Sequence, residues 1–462
     1  MTPTPAPSPT PPPPWGGWPR VRPVPAWRVW IWGVAYWLAL APLTYLPPRL
    51  SGNVFSRYMT VEAIVGRGTL AIERSPLLAR SGSPDVVKFG PHLYSDKPPV
   101  LPALAAPLYA GLTRAGARFD GPIGGFLACN FALTWGVAGL ASGLCLVALR
   151  ALLQGVDIPA GWADALTVAF GLGSPLLTYA VTFNNHSVAA ALIAGAWALT
   201  LLAGSPRRPA LAGLLAGLAA TIDLPAGCLT LASLGAIQLV RGGRPLRGYA
   251  LGAFGPLALH AGLQSMVTGS PLPAEMYPAA FDYPGSYWTT PEGIWREAGP
   301  RWRFGVDLLV GRQGAFTVYP ALWVGALGIA LALADRARRA AALLVGAAVL
   351  VLVAYYVWGV RRTDFAGSSW GVRHLLPVEP LVYLFAAVAL GRARGAGRWA
   401  LGGAFGLALV IGGVYAVAGM VDPWTRVERR AGAERWVGLV DRLAPYRGGT
   451  FRDGGGPVGG AR

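Results

Sequence analysis

The sequence predicts an all-α polytopic membrane protein, with about 12 transmembrane or partly inserted helices and a long first outer loop carrying interfacial helices. Three observations carry that expectation. Of 462 residues, 54% are hydrophobic and only 13% are charged, at a mean hydropathy of +0.46. Apolar runs of roughly 16 to 25 residues recur, each about long enough to cross a bilayer. Short arginine-rich turns separate them, the pattern that orients a chain in a membrane. The formal charge of +18 therefore does not point to nucleic acid, because most of the arginines lie in those turns.

Taken in order, residues 1–26 are rich in Thr, Pro and Ala, with consecutive prolines from Pro11 to Pro14, and read as a disordered cytoplasmic tail. Arg20, Arg22 and Arg28 precede a first span at 29–46, which reads as a retained anchor rather than a cleaved signal. Residues 47–97 form a long outer loop, whose stretch 56–65 can make a short interfacial helix. Further spans are expected at 100–113, 123–149, 163–183, 187–204, 210–221, 224–240, 248–267, 315–334, 340–358, 375–390 and 399–420. The pair 210–221 and 224–240 is broken at Asp223-Leu224-Pro225, where Asp223 is expected to cap the second helix.

If that pair is a hairpin, the arginine groups at 207–208, 241–247, 336–339 and 392–398 share the cytoplasmic side. The loops 47–97, 270–314 and 359–374 then lie outside, within a membrane domain of residues 27–420. One parity conflict remains: three spans separate Lys97 from His186, yet both should be outside. Either the proline-containing segment after Lys97 does not cross, or the run 123–149 is two short crossings. Residues 421–462 read as a polar, Gly-rich tail. Cys129, Cys145 and Cys228 sit in apolar runs without metal-ligand spacing, as buried fillers.

The chemistry collects in the outer loops. The stretch His92-Leu93-Tyr94-Ser95-Asp96-Lys97-Pro98-Pro99 runs directly into an apolar segment, placing a carboxylate, an ammonium and an imidazole at its mouth. The chain has 39 Lys plus Arg, but Lys88 and Lys97 are its only lysines. A compact ammonium in a chain that otherwise uses the forked guanidinium points to a chemical task. Basic residues on the outer face, Arg57 and Arg373 among them, run against the charge rule. An anionic ligand such as a lipid phosphate would explain them; so would pairing with acidic neighbours or head groups. His186, after Asn184-Asn185, reads as a metal ligand, a proton carrier or a helix cap.

These residues resemble motifs of the C-type superfamily of integral membrane glycosyltransferases, which includes the protein O-mannosyltransferases and aminoarabinose transferases. The match is closest to bacterial members. The motifs are Ser56-Arg57-Tyr58, Gly68-Thr69-Leu70, Tyr94-Ser95-Asp96-Lys97-Pro98-Pro99 and Phe183-Asn184-Asn185-His186. They continue with Thr268-Gly269-Ser270, Gly311-Arg312-Gln313-Gly314-Ala315-Phe316 and Trp370-Gly371-Val372-Arg373-His374-Leu375-Leu376-Pro377. Each is weak alone, but the ordered set spans most of the chain.

The resemblance implies a multi-pass enzyme of the inner (plasma) membrane, active on its outward face. It would move a sugar from a polyprenyl-phosphate donor to a hydroxyl of a lipid, glycan or protein. It implies Asp96 and Asp85 as the catalytic carboxylates, and Lys97, Arg57, Lys88, Arg373 and Tyr94 as substrate-binding residues. Lys97 would stabilise the leaving phosphate. It also implies a divalent metal, for which Asp96, His92 and His186 are the candidate ligands, and no organic cofactor. One departure matters: where many relatives carry an acidic pair before the Arg-Tyr, this chain has Asn53-Val54-Phe55-Ser56, so Asp85 or Asp96 must substitute. Two other readings stay open. The broken helix pair allows a transporter or flippase of lipid-linked saccharide, and the missing acidic pair allows a non-catalytic polyprenyl-lipid-binding protein.

Overall fold

A computed structural model describes residues 25–45, 50–81, 85–156, 158–202, 205–289, 300–311, 313–359 and 369–424. Nearly all of the tails expected at 1–26 and 421–462, and the loop residues Arg361, Arg362 and Asp364, fall outside the described residues. The architecture is helical, with one β-hairpin. The helices are α1 (Ala26–Tyr45), α2 (Gly52–Arg67) and α3 (Pro76–Ser81), followed by strands β1 (Val86–Phe89) and β2 (His92–Ser95). Next come α4 (Val100–Arg114), α5 (Ile123–Leu133), α6 (Leu140–Leu153), α7 (Ala160–Gly173), α8 (Pro175–Ala180) and α9 (Asn185–Leu201). Then follow α10 (Arg208–Ile222), α11 (Leu224–Arg241), α12 (Gly243–Thr268), α13 (Arg301–Val310) and α14 (Ala315–Val318). The last are α15 (Ala321–Leu333), α16 (Arg339–Ala354), α17 (Glu379–Arg392) and α18 (Gly395–Val421).

Among the described residues, 5 helices are long and apolar enough to cross a membrane, or 6 if the bent pair Arg301–Val318 and Ala321–Leu333 counts as one span. The expectation of about 12 also counted partly inserted helices, and α9 and α10 are further, shorter apolar helices. One expected run is interrupted. The run at 163–183 breaks at Ser174, whose extended backbone ends α7 and whose hydroxyl accepts from the Leu176 amide to start α8. The outer surface is what a bilayer requires. Leu251, Phe254, Leu350, Val410 and Val414 on α12, α16 and α18 are between 61% and 75% exposed, an apolar patchwork that lipid tolerates and water does not.

Small residues bring the helices together. A Cβ on Gly213 of α10 would strike the carbonyl of Tyr249 on α12, and one on Gly252 of α12 would strike that of Ala210. Such close crossings replace the hydrophobic drive that is absent between helices in lipid. Similarly, a Cβ on Gly227 of α11 would strike Ala219 of α10, so α10 and α11 fold back on each other as a hairpin with Asp223 at its apex.

The bundle has two chemically distinct ends. At one, Arg338 and Arg392 both bond Asp335, Arg150 bonds Asp164, and Arg398 lies over Trp162. This joins two arginine turns that the sequence placed on one side. At the other end lie the first loop, the Asp223 apex and the start of α9. The parity conflict is resolved there. Val100, Leu101 and Tyr109 of α4, and Phe119 beyond it, all pack in one cluster with Val54, Tyr58 and Phe126. The segment after Lys97 therefore stays in the layer of the first loop. Ile123–Leu153, by contrast, is one continuous helix of 31 residues with a π turn at Thr134–Gly139, so the two-crossing alternative is not what occurs.

Candidate active site

The first loop holds more structure than a short surface helix. Ser51 caps α2 by accepting from the Val54 amide, and Gly68 ends it at φ 63°, the left-handed C-cap that glycine adopts without strain. Within α2, every residue from Ser56 to Ala63 is buried. The helix is thus a floor of the site, not a raft on the membrane. The hairpin that follows was not anticipated, although Val86 and Val87 favour a strand and Gly90-Pro91 suits a two-residue turn; Gly90 takes φ 58°.

Hairpin register creates the central arrangement. Because Val86 pairs with Ser95, the residues just outside the ladder, Asp85 and Asp96, come together, and the Asp96 amide donates to the Asp85 carbonyl at 3.3 Å. Ser56 of α2 fixes the hairpin's open end: its hydroxyl donates to the Asp85 carbonyl at 2.8 Å and also meets the Ser95 hydroxyl. Lys97 Nζ then lies 2.9 Å from Asp96 Oδ2 and 3.4 Å from Asp85 Oδ1. Asp96 Oδ1 is buried without a hydrogen-bond partner. Burial pushes the Asp96 carboxyl up to about 6, with Lys97 opposing and Asp85 reinforcing the rise. For Lys97, burial works against the charge, but Asp85 and Asp96 outweigh it and its pKa is raised.

A second group adjoins the first. Arg57 of α2 donates to the Asn53 carbonyl at 3.0 Å, to the Asn53 side chain, and to Asn185 Oδ1 at 2.7 Å. Asn185 donates in turn to Asp223 Oδ2 at 3.0 Å, and the same oxygen lies 2.6 Å from His186 Nδ1. Burial first, then the like charge of Arg373, lowers the Arg57 pKa to about 10, which leaves it a cation at neutral pH. Arg373 itself lies over the Trp424 ring at 5.0 Å, with its Nε buried and without a hydrogen-bond partner. His374 stacks on Tyr356 at 4.2 Å and meets His186 edge-on at 5.3 Å.

The structure thus brings Asp85, Asp96, Lys97, Arg57, Arg373 and His186 to one end of the bundle. Other expected residues fall elsewhere. Lys88 is exposed near the turn end of β1, where it pairs with Leu93. His92 sits at the hairpin's turn end, exposed, with Nδ1 2.8 Å from Glu73. Tyr94 is buried in a small cluster with Leu70, Val87 and Ala274, so it packs the hairpin down. The three candidate metal ligands therefore take different partners: Asp96 holds Lys97, His92 holds Glu73 and His186 holds Asp223. Among the described residues, no three His, Cys, Asp or Glu side chains converge on a metal site. This donor set does not fit the implied ion.

Two further corrections concern single residues. Asp223 makes no side-chain cap to α11, since its carboxylate is taken by Asn185 and His186. The cap on α9 is Asn184, which accepts from the Ser187 amide at 2.9 Å, so His186 is not needed for it. Cys228 is exposed, whereas Cys129 and Cys145 are buried.

Sequence reasoning missed the roles of Asn185 and Ser56. The Asn53 to Arg57 spacing of four is legible as a helical pair, but their partners lie 128 and 29 residues away. It also left Glu275 unassigned. That residue lies in a short 3₁₀ turn, Ala274–Met276, of the second outer loop. Its side chain is exposed.

No family model matches the chain, and no curated protein matches it. Solved structures do. The archaeal oligosaccharyltransferase AglB from Archaeoglobus fulgidus, in complex with an inhibitory peptide and a dolichol-phosphate, is 14% identical at a TM-score of 0.47, covering 91% of this chain and 61% of its own. The apo form of the Archaeoglobus fulgidus oligosaccharyltransferase is 12% identical at 0.48, covering 93% and 62%. ArnT from Cupriavidus metallidurans, in the apo state, is 16% identical at 0.46, covering 89% and 77%. The chain spans about three fifths of the archaeal enzyme's length. Likeness at this level carries no argument about chemistry.

Proposed function

We propose that the protein is a membrane glycosyltransferase that moves a sugar from a polyprenyl-phosphate donor to a hydroxyl of a lipid, glycan or protein at the outer membrane face. One observation carries the reading: the Lys97 ammonium is clamped between Asp85 and Asp96 at the mouth of an apolar bundle, with the buried cation Arg57 and the half-buried Arg373 nearby. When a sugar leaves phosphate, negative charge develops on the phosphate oxygen. Cations already fixed in position stabilise that charge without reorganising. Lys97 is fixed by two carboxylates, and Arg57 by Asn53 and Asn185. Asp85 and Asp96 act on the reaction through Lys97, holding its ammonium in place. The neutral Asn53 stands where many relatives have an acid, and here its oxygens accept from Arg57.

The transport alternative loses the feature that motivated it. The break at Asp223 is the apex of a tight hairpin at the site end, not an unwound segment within one span. The test is release of free polyprenyl phosphate from a panel of polyprenyl-phosphate hexoses and pentoses, using the purified full chain in lipid. We expect release with at least one sugar and its loss in Asp96→Asn and Lys97→Ala. Donor binding without release for every sugar and added acceptor extract would replace this reading with the non-catalytic one.

A further inference from the structure

We infer that His186, backed by Asp223, is the base that takes the acceptor's hydroxyl proton. This rests on the transferase reading above and goes beyond it by assigning the proton to a residue outside the first loop.

The carboxylates of the first loop are already engaged. Asp85 and Asp96 both hold Lys97, Glu62 holds Arg67 and Glu73 holds His92. Asn53 is neutral and accepts from Arg57. An arriving hydroxyl therefore needs a proton acceptor from another part of the chain.

His186 has the geometry of one. Its Nδ1 lies 2.6 Å from Asp223 Oδ2, and the same oxygen accepts from the Asn185 amide at 3.0 Å, as an ionised carboxylate does. Nδ1 therefore carries the ring proton and donates it to Asp223. In a neutral imidazole that leaves Nε2 as the acceptor. Among the described residues Nε2 is neither hydrogen-bonded nor sealed from solvent, whereas both ring nitrogens of His260 are sealed. The His186 side chain keeps 7% of its surface accessible and that of Asp223 only 2%, so an arriving group meets the ring and not the carboxylate. The ring is also held in place, because His374 meets it edge-on at 5.3 Å and is itself stacked on Tyr356.

Hydrogen bonds tie this pair to the Lys97 clamp. Ser56 and Arg57 are consecutive on α2. Ser56 donates to the Asp85 carbonyl and meets Ser95, at the open end of the hairpin where Lys97 is held. Arg57 donates to Asn185, which precedes His186 and donates to Asp223. A single step along α2 thus joins the cation for the leaving phosphate to the base for the attacking hydroxyl.

The step balances as follows. The acceptor oxygen bonds to the anomeric carbon and gives its proton to His186 Nε2. The bond from that carbon to the phosphate oxygen breaks, and its electron pair leaves on polyprenyl phosphate beside Lys97. The imidazolium so formed is stabilised by Asp223 through Nδ1 and later returns its proton to water.

The test uses the full chain in lipid with the polyprenyl-phosphate sugar panel and either water or a lipid extract as acceptor. Donor binding is measured separately from kcat. For His186→Ala we expect unchanged donor binding, about a 100-fold loss in kcat, and recovery of about tenfold on adding imidazole but not pyrazole, a ring of like size that is too weak a base. His186→Gln, which can keep a hydrogen bond to Asp223, should be as slow as His186→Ala without imidazole. A structural role would let glutamine restore the rate and would leave imidazole without effect. Either of those results, or loss of donor binding in both variants, while Lys97→Ala is inactive, would overturn the inference and leave the transferase reading standing. No release by the wild type with any sugar would overturn both.

Discussion

The Arg57 guanidinium donates to Asn185 Oδ1 at 2.7 Å, joining α2 of the first loop to the start of α9 across 128 residues. Asn185 also donates to Asp223, so one amide serves a buried cation and a buried carboxylate at once. Asn185→Ala strips a partner from each. Leaving buried charged groups short of hydrogen bonds costs about 1.5–3 kcal/mol per bond. A lowered thermal midpoint, measured in lipid or detergent, is the expected result; a midpoint equal to wild type would mean that water replaces the amide.

Lys97 should not tolerate arginine. Its single Nζ fits between Asp85 and Asp96, and a longer planar fork cannot occupy the same point. Lys97→Arg and Lys97→Ala should both lose about 10²–10³-fold in polyprenyl phosphate release. Recovery of more than a tenth of the rate by arginine would show that charge alone suffices.

The pH profile should bend on its acid side. Burial pushes the Asp96 carboxyl up to about 6. As pH falls through that value Lys97 loses the negative charge of one of its two clamps, and the log rate should fall with a slope near one. A profile that stays flat through about pH 6 would show that the clamp does not depend on the ionisation of Asp96.

Lys88 and His92, candidates on sequence grounds, are exposed near the turn end of the hairpin, at the opposite end from Asp85 and Asp96. Lys88→Ala and His92→Ala should each keep release within about twofold of wild type, as surface substitutions usually perturb little. A tenfold loss in either would place a substrate on the hairpin's outer face.

Chelation separates the metal expectation from the geometry. Because Asp96, His92 and His186 take separate partners, EDTA should leave the rate unchanged. A rate that falls with EDTA and returns with magnesium or manganese would restore an ion beside Asp96.

What the sequence by itself determined was whatever follows from composition and short spacing. Apolar runs and arginine turns specify a helical membrane chain, since the bilayer demands a minimum apolar length and charge orients it. The Asp96-Lys97-Pro98-Pro99 stretch stood out as the centre of the candidate site because two lysines in such a chain are conspicuous. The helix caps at Ser51, Gly68 and Asn184 are just as local in spacing, but the caps expected from sequence were Asp223 and His186. Tertiary structure decided the rest. Whether the segment after Lys97 crosses depended on Phe119 returning to Tyr58, an aromatic stack that no periodicity encodes. Whether Asp223 capped a helix or held His186 depended on where α9 begins beside it. Strand register, not sequence distance, set Asp85 against Asp96 around Lys97 and left Lys88 outside. The physical reason is common to all three. Charged and polar groups taken from water must find partners wherever the packed helices place them, and apolar patterning positions the helices without naming those partners.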